Sequence, residues 1–192
     1  MNGSDSDTLR QLADRAAIRD TMCRYARGVD RGDEAIIRSA YHPDAHDDHV
    51  DYSGDIDGFI AWLGVNFKGY DNSMHFLGQC LIEFAGPDLA MVETYYASRR
   101  LRPPEGLDPK GMEAEGLAPG DMICRQSWGR YLDRFERRDG EWRIARRTLV
   151  IDNRFTSVAK GGARQGAGPW GTRDTSDPLY AARTEILGDA AG

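Results

Sequence analysis

The spacing of apolar residues changes period once along this chain, and that change restricts its fold more than any other feature. Up to Phe67 they recur at helical spacing; from Ser73 they alternate as in strands. The strongest helical signal is Asp55 to Phe67, where Ile56, Phe59, Ile60, Leu63 and Phe67 fall at i, i+3, i+4, i+7 and i+11. Residues 8–31 predict a first helix through Leu12, Ala16, Met22, Ala26 and Val29, with Thr8 as its cap. Gly32 ends that helix, and Asp33 caps a short second one, Glu34 to Ala40.

Between the second and third helices, Tyr41 to Asp51 reads as a Pro43-Asp44 turn and a short extended piece. In Ser73 to Phe84, His75, Leu77, Gln79 and Leu81 alternate with Met74, Phe76, Cys80 and Ile82. Gly86-Pro87-Asp88 turns the chain into a second strand, Leu89 to Leu101. Residues 102–120, rich in Gly and Pro, predict a long loop. Met122 to Arg137 and Glu141 to Asn153 predict a hairpin around Arg138-Asp139-Gly140. Three helices followed by about four to five antiparallel strands indicate an α+β domain over residues 1–155. Residues 156–192 are Gly-, Ser- and Asp-rich and read as a C-terminal arm or tail, with a short helix near Tyr180 to Leu187.

The 192 residues suit one domain, and the formal charge of −6 is the wrong sign for a nucleic-acid partner. No apolar run reaches the roughly 18 residues of a membrane helix. Met1 to Arg10 lacks a signal-peptide pattern, so a cytoplasmic address is expected. Cys23, Cys80 and Cys124 are odd in number and far apart, which argues for small buried hydrophobes rather than disulfides. His42, His46 and His49, interleaved with Asp44, Asp47 and Asp48, have a composition that suits a metal. Pro43 and the extended character of the segment argue against one shared face, and no metal is assigned. No Gly-rich phosphate loop and no flavin or nicotinamide fingerprint is present, so no cofactor is expected.

The segments LADRAAIRD, RYARGVDRGD, YHPDAHDDH, SMHFLGQ and YLDRFERRDGEWRIARRTLVID occur in an order and spacing that resemble the SnoaL-like branch of the nuclear transport factor 2-like superfamily. The resemblance implies a cone-shaped α+β barrel, a curved antiparallel sheet wrapped around three N-terminal helices. It implies a deep pocket for a small molecule. Members include scytalone dehydratase, bile-acid 7α-dehydratase, hexachlorocyclohexane dehydrochlorinase and a diarylpropane lyase. Cyclases, isomerases, oxygenase accessory subunits and plain binding modules share the fold, so function rests on the site.

In the dehydratase and dehydrochlorinase members an Asp in a Gly-Val-Asp segment pairs with a strand His. Asp30 and His75 stand at the matching positions. An imidazole accepts a proton, and a carboxylate fixes its tautomer and stabilises the imidazolium. The resemblance adds Tyr25 as a hydroxyl donor and Arg147 as a guanidinium facing a leaving group or oxyanion; Arg146 should point the other way. Tyr41, His49, Phe59, Trp62, Tyr96 and Trp128 are expected to line a pocket for a hydrophobic ring.

Together these residues indicate a cofactor-independent lyase removing water or formaldehyde from a hydroxylated aromatic or polycyclic compound. The alternatives are a non-catalytic binder, an oxygenase accessory subunit, and a cyclase or isomerase. A homo-oligomer, trimer or dimer, is expected.

Overall fold

The computed structural model describes residues 3–104, 109–114, 116–161 and 166–188. Parts of the expected 102–120 loop and of the 156–192 arm therefore lie outside the described residues. Helix α1 is Gly3–Arg31 and α2 is Glu34–Ser39. Gly32, at a φ of 66°, breaks the first helix, and the Asp33 side chain caps the second by accepting from Ile36 N. Two strands then precede the third helix: β1, Tyr41–His49, and β2, Tyr52–Asp55. Helix α3, Ile56–Asn66, is capped by Asp55 and buries Ile56, Phe59, Ile60 and Leu63, the stripe its spacing predicts.

Four long strands follow: β3 Asn72–Phe84, β4 Leu89–Arg102, β5 Met122–Arg138 and β6 Glu141–Ala159. Asp139 and Gly140 sit at φ 53° and 84°, the left-handed pair that a two-residue hairpin turn requires, and they join β5 to β6. Helix α4, Pro109–Ala114, interrupts the expected loop, and α5, Pro178–Leu187, closes the described chain.

All six strands form one sheet in the order β2-β1-β6-β5-β4-β3. Two expectations change here. The sheet is mixed rather than antiparallel, because β1 pairs parallel with β6. It also stays open, with β2 and β3 as its edges, so the cone is not a closed barrel. Its concave side packs on Ile18, Met22, Tyr25 and Val29 of α1 and on the buried stripe of α3.

The face of α1 turned to the sheet follows the expected stripe only in its second half, where Met22, Ala26 and Val29 are buried. Leu12 is 59% exposed and Ala16 is exposed, whereas Asp14, Ile18, Thr21, Met22 and Tyr25 are buried. Polar anchors hold this face: Asp14 accepts from Trp142 Nε1 at 2.8 Å, and Thr21 Oγ1 donates to the Trp142 carbonyl at 2.9 Å. Cys23, expected buried, lies off that face and is exposed; Cys124 is buried.

A bulge between Leu77 and Cys80 shifts the phase of β3 by one residue. Ser73, His75 and Leu77 face inward before it, and Cys80, Ile82 and Phe84 face inward after it. Leu81, expected on the His75 face, is consequently 56% exposed, while Ile82 is buried.

Strand β6 runs through positions 155 and 156, pairing Val158 with Ile123 of β5. The segment beyond it returns to the end of α1. Arg31 pairs with Asp177 at 2.7 Å, and the Tyr180 hydroxyl donates to Asp33 at 2.8 Å. Among the described residues no helix is long and apolar enough to cross a membrane.

Candidate active site

Asp30 occupies the last turn of α1, one turn above Tyr25 and Ala26 on the buried face. The helix reaches this position closely packed on α2. A Cβ on Gly28 would lie 2.8 Å from both the backbone N and a side-chain carbon of Ile37, so a larger residue there would push the two helices apart. His75 comes from β3, and the two side chains meet. The His75 Nδ1 lies 2.7 Å from Asp30 Oδ1. The backbone N–H of His75 donates to Asp30 Oδ2 at 2.7 Å, and Ser73 Oγ donates to Oδ1 at 2.8 Å.

Three donors thus converge on one carboxylate that is only 6% exposed. Burial pushes its pKa up, but the charge of His75 and the hydrogen bonds from His75 and Ser73 outweigh burial and hold Asp30 below the usual carboxylate value. An ionised Asp30 accepts a hydrogen bond from Nδ1–H, which keeps the proton of the neutral ring on Nδ1 and leaves Nε2 free to act as the base. The pair lines an open cleft of about 500 Å³ between α1 (Cys23, Ala26, Arg27), β3 (Phe76, Leu77) and Leu179. Ser73 was not singled out in the sequence; it shares a strand face with His75 two residues on, which is the signal that marks it.

Arg147 lies elsewhere than its expected place as a substrate clamp. Its side chain is fully buried, and it makes a two-pronged pair with Asp133, both contacts 2.7 Å. A third nitrogen donates to the Tyr41 hydroxyl at 3.2 Å. The guanidinium carbon sits 4.0 Å from the Tyr25 ring centre and 4.1 Å from that of Tyr131, on the two flanking rings. Burial disfavours the cation, but Asp133 and the Tyr41 and Tyr25 hydroxyls outweigh it and keep Arg147 charged. Arg147 is therefore a caged core cation, and its donors are already spent. The reason is cross-strand pairing: Asp133 is its direct partner on β5. Arg146 points to the other face and pairs with Asp48 at 2.7 Å.

Tyr25 and Tyr41 belong to this same cage. Burial raises both hydroxyls above the usual phenol range, so they remain neutral donors. Tyr41 donates to Asp47 at 2.6 Å. His49 Nδ1 lies 3.3 Å from the other Asp47 oxygen but off hydrogen-bond alignment, which leaves both buried atoms unpartnered. Burial lowers the His49 pKa, and Asp47 offsets that only in part.

His49 packs on Phe59 and Trp62, with ring centres 5.1 and 5.6 Å away. Tyr96 stacks on Tyr131 and bridges toward His75, while its hydroxyl shares a 3.0 Å hydrogen bond with Ser127. Trp128 departs from this group. Its strand parity puts it on the convex face, stacked on Phe155 at 4.8 Å, away from the cone interior. The remaining histidines diverge: His42 contacts the Glu136 carbonyl, and His46 contacts Asp48 and Ser53.

The family model of the SnoaL-like domain matches residues 10–148. The chain belongs to that family. No curated protein matches the sequence. Among solved structures, it resembles a type 2 hexachlorocyclohexane dehydrochlorinase, LinA, at TM-score 0.66 and 20% identity over 83% of this chain and 99% of that one. A protein of Novosphingobium aromaticivorans, provisionally assigned as a scytalone dehydratase, gives 0.63 at 16% identity over 84% and 99%. The LinA-type3 dehydrochlorinase of Novosphingobium barchaimii LL02 gives 0.59 at 22% identity over 84% and 99%. At these identities the likeness establishes the shared cone fold.

Proposed function

We propose that this SnoaL-like protein is a cofactor-independent lyase in which His75, backed by Asp30, starts an elimination from a hydroxylated aromatic or polycyclic small molecule. The observation that carries the reading is the carboxylate–imidazole pair at 2.7 Å, locked by two further donors and lining a cleft. His75 takes a proton from the carbon next to the one bearing the hydroxyl. The C–H pair becomes the new double bond, and the C–O pair leaves with oxygen, which takes up a proton and departs as water. Taken instead from the O–H of a hydroxymethyl group, the proton leaves its pair to form the C=O of formaldehyde, the broken C–C pair becomes the new double bond, and the neighbouring hydroxyl departs with its C–O pair as water. Asp30 offsets the charge of the imidazolium throughout. The caged Arg147 and its tyrosines act as the rigid floor under α1 rather than as substrate contacts.

The test is incubation of the purified protein with hydroxylated biaryl and steroid compounds, following the new conjugated chromophore. His75→Ala should lower turnover by a factor on the order of 10² or more. Wild-type rates in that variant would remove His75 as the base, and binding without turnover by the wild type would leave a binding role. Exposed Trp128, Phe155 and Tyr95 on the convex face support self-association through that face, which sedimentation of the wild type and Trp128→Glu would check.

A further inference from the structure

The concave face of the sheet carries a second cluster of functional groups next to the dyad. Cross-strand register places His75, Ser98, Ser127 and Arg154 in one row, and Ser73, Arg100, Arg125 and Thr156 in the next. Directly paired residues share a face, so both rows look into the cone. Ser98, Arg100, Arg125, Ser127, Arg154 and Thr156 line a partly open cavity of about 260 Å³.

Three arginines thus crowd one cavity. No ion pair with a described carboxylate involves Arg100, Arg125 or Arg154. Other arginines of this chain, such as Arg130, Arg137 and Arg138, are each matched to acids. Arg100 leans instead on the rings of Phe67 and Tyr70, at 4.4 and 5.3 Å. Arg173, from the returning C-terminal segment, stacks on the same Phe67 and keeps its Nη1 buried without an acceptor. Burial lowers the Arg100 pKa, opposed in part by Tyr70 and aided by the neighbouring Arg125 and Arg154. Arg173 falls to about 10 through burial, only partly countered by Asp30. Like charges held together with serine hydroxyls, and with no ion-paired carboxylate among the described residues, describe a site for an anion.

We propose that Arg100, Arg125 and Arg154, with Ser98 and Ser127, form a carboxylate-binding subsite that holds the acid group of an aromatic acid substrate while its far end meets His75. The substrate part of this inference rests on the lyase reading above. Neighbouring strands lie roughly 4.8 Å apart. Ser127 is therefore roughly 10 Å, and Arg154 roughly 15 Å, from His75 along the row, which is the reach of one to two rings. Planar guanidinium forks suit a carboxylate, and hydroxyls of Ser98 and Ser127 supply the remaining donors.

The test measures binding of biphenyl-4-carboxylate, biphenyl-4-carboxamide and inorganic phosphate to the full chain by calorimetry at low salt. The carboxylate should bind roughly ten-fold or more tightly than the amide. Arg125→Gln/Arg154→Gln, whose parent side chains are exposed, should weaken it by a similar factor without moving the melting temperature. Asp30→Asn should leave carboxylate binding within a few-fold. Equal binding of acid and amide, an unaffected double variant, or phosphate binding as tightly as the aryl acid would each overturn the subsite. Arginine-dependent acid binding without any turnover would keep the subsite and remove the lyase. Turnover by the wild type with no preference for the acid over the amide would do the reverse.

Discussion

Replacing Asp30 by Asn tests the dyad at its most informative atom. The carboxylate accepts from Ser73 Oγ and His75 Nδ1 on one oxygen and from the His75 backbone on the other. An amide can replace it in two orientations. With its NH₂ toward the backbone N–H, two donors face each other in a buried place, at a cost of about 1–3 kcal/mol. With its NH₂ toward Ser73 and the imidazole, the serine hydroxyl rotates to accept and Nδ1 must accept too. The second arrangement satisfies every group and therefore wins. It moves the imidazole proton from Nδ1 to Nε2, the atom that must be free to act as base. Turnover should fall by about 10²–10⁴, the range for loss of a positioned base and its supporting charge. The assay that needs no substrate is ¹⁵N–¹H correlation of the histidine side chains. The wild type should show the proton on Nδ1 of His75, and Asp30→Asn should show it on Nε2. An unchanged tautomer, with turnover within a few-fold of wild type, would refute the reasoning.

Arg147→Met should destabilise the protein by about 3–5 kcal/mol in urea melts, because it strands the buried carboxylate of Asp133; Arg147→Met/Asp133→Leu should regain much of that loss. Ile82→Ala should cost about 2–5 kcal/mol and Leu81→Ala no more than about 0.5, a contrast that follows from the β3 bulge and that chemical denaturation of the pair will check. His49 has a depressed pKa in the folded state, so between that value and its unfolded value near 6.5 the unfolded chain binds more protons. Stability should therefore fall as pH drops from about 7 to 5, by at most about 1.4 kcal/mol per pH unit, and His49→Asn should flatten that slope in melts across the range.

How much of this was legible in the sequence depended on whether the signal was local. The α3 stripe was readable because helix period and burial coincide there, while its Asp55 cap was read as the first helical residue. The buried face of α1 was readable only at Met22, Ala26 and Val29, because Asp14, Thr21 and Asp30 on the same face are held by hydrogen bonds that an apolar period does not register. The phase of β3 was hidden by apolar residues on both faces, so nothing in the alternation marks the bulge at Leu77/Cys80. The parallel pairing of β1 with β6 brings together residues about a hundred positions apart, and a short strand rich in Asp and His carries no trace of it. The hairpin shows the same division within one element. Its Asp139-Gly140 turn fixes Arg138 opposite Glu141, and a regular ladder from there would set Arg146 against Asp133. The bulge between Arg134 and Phe135 slips the register by one and brings Arg147 to that carboxylate instead. One extra residue therefore decides which arginine enters the core under the dyad and which stays outside paired with Asp48.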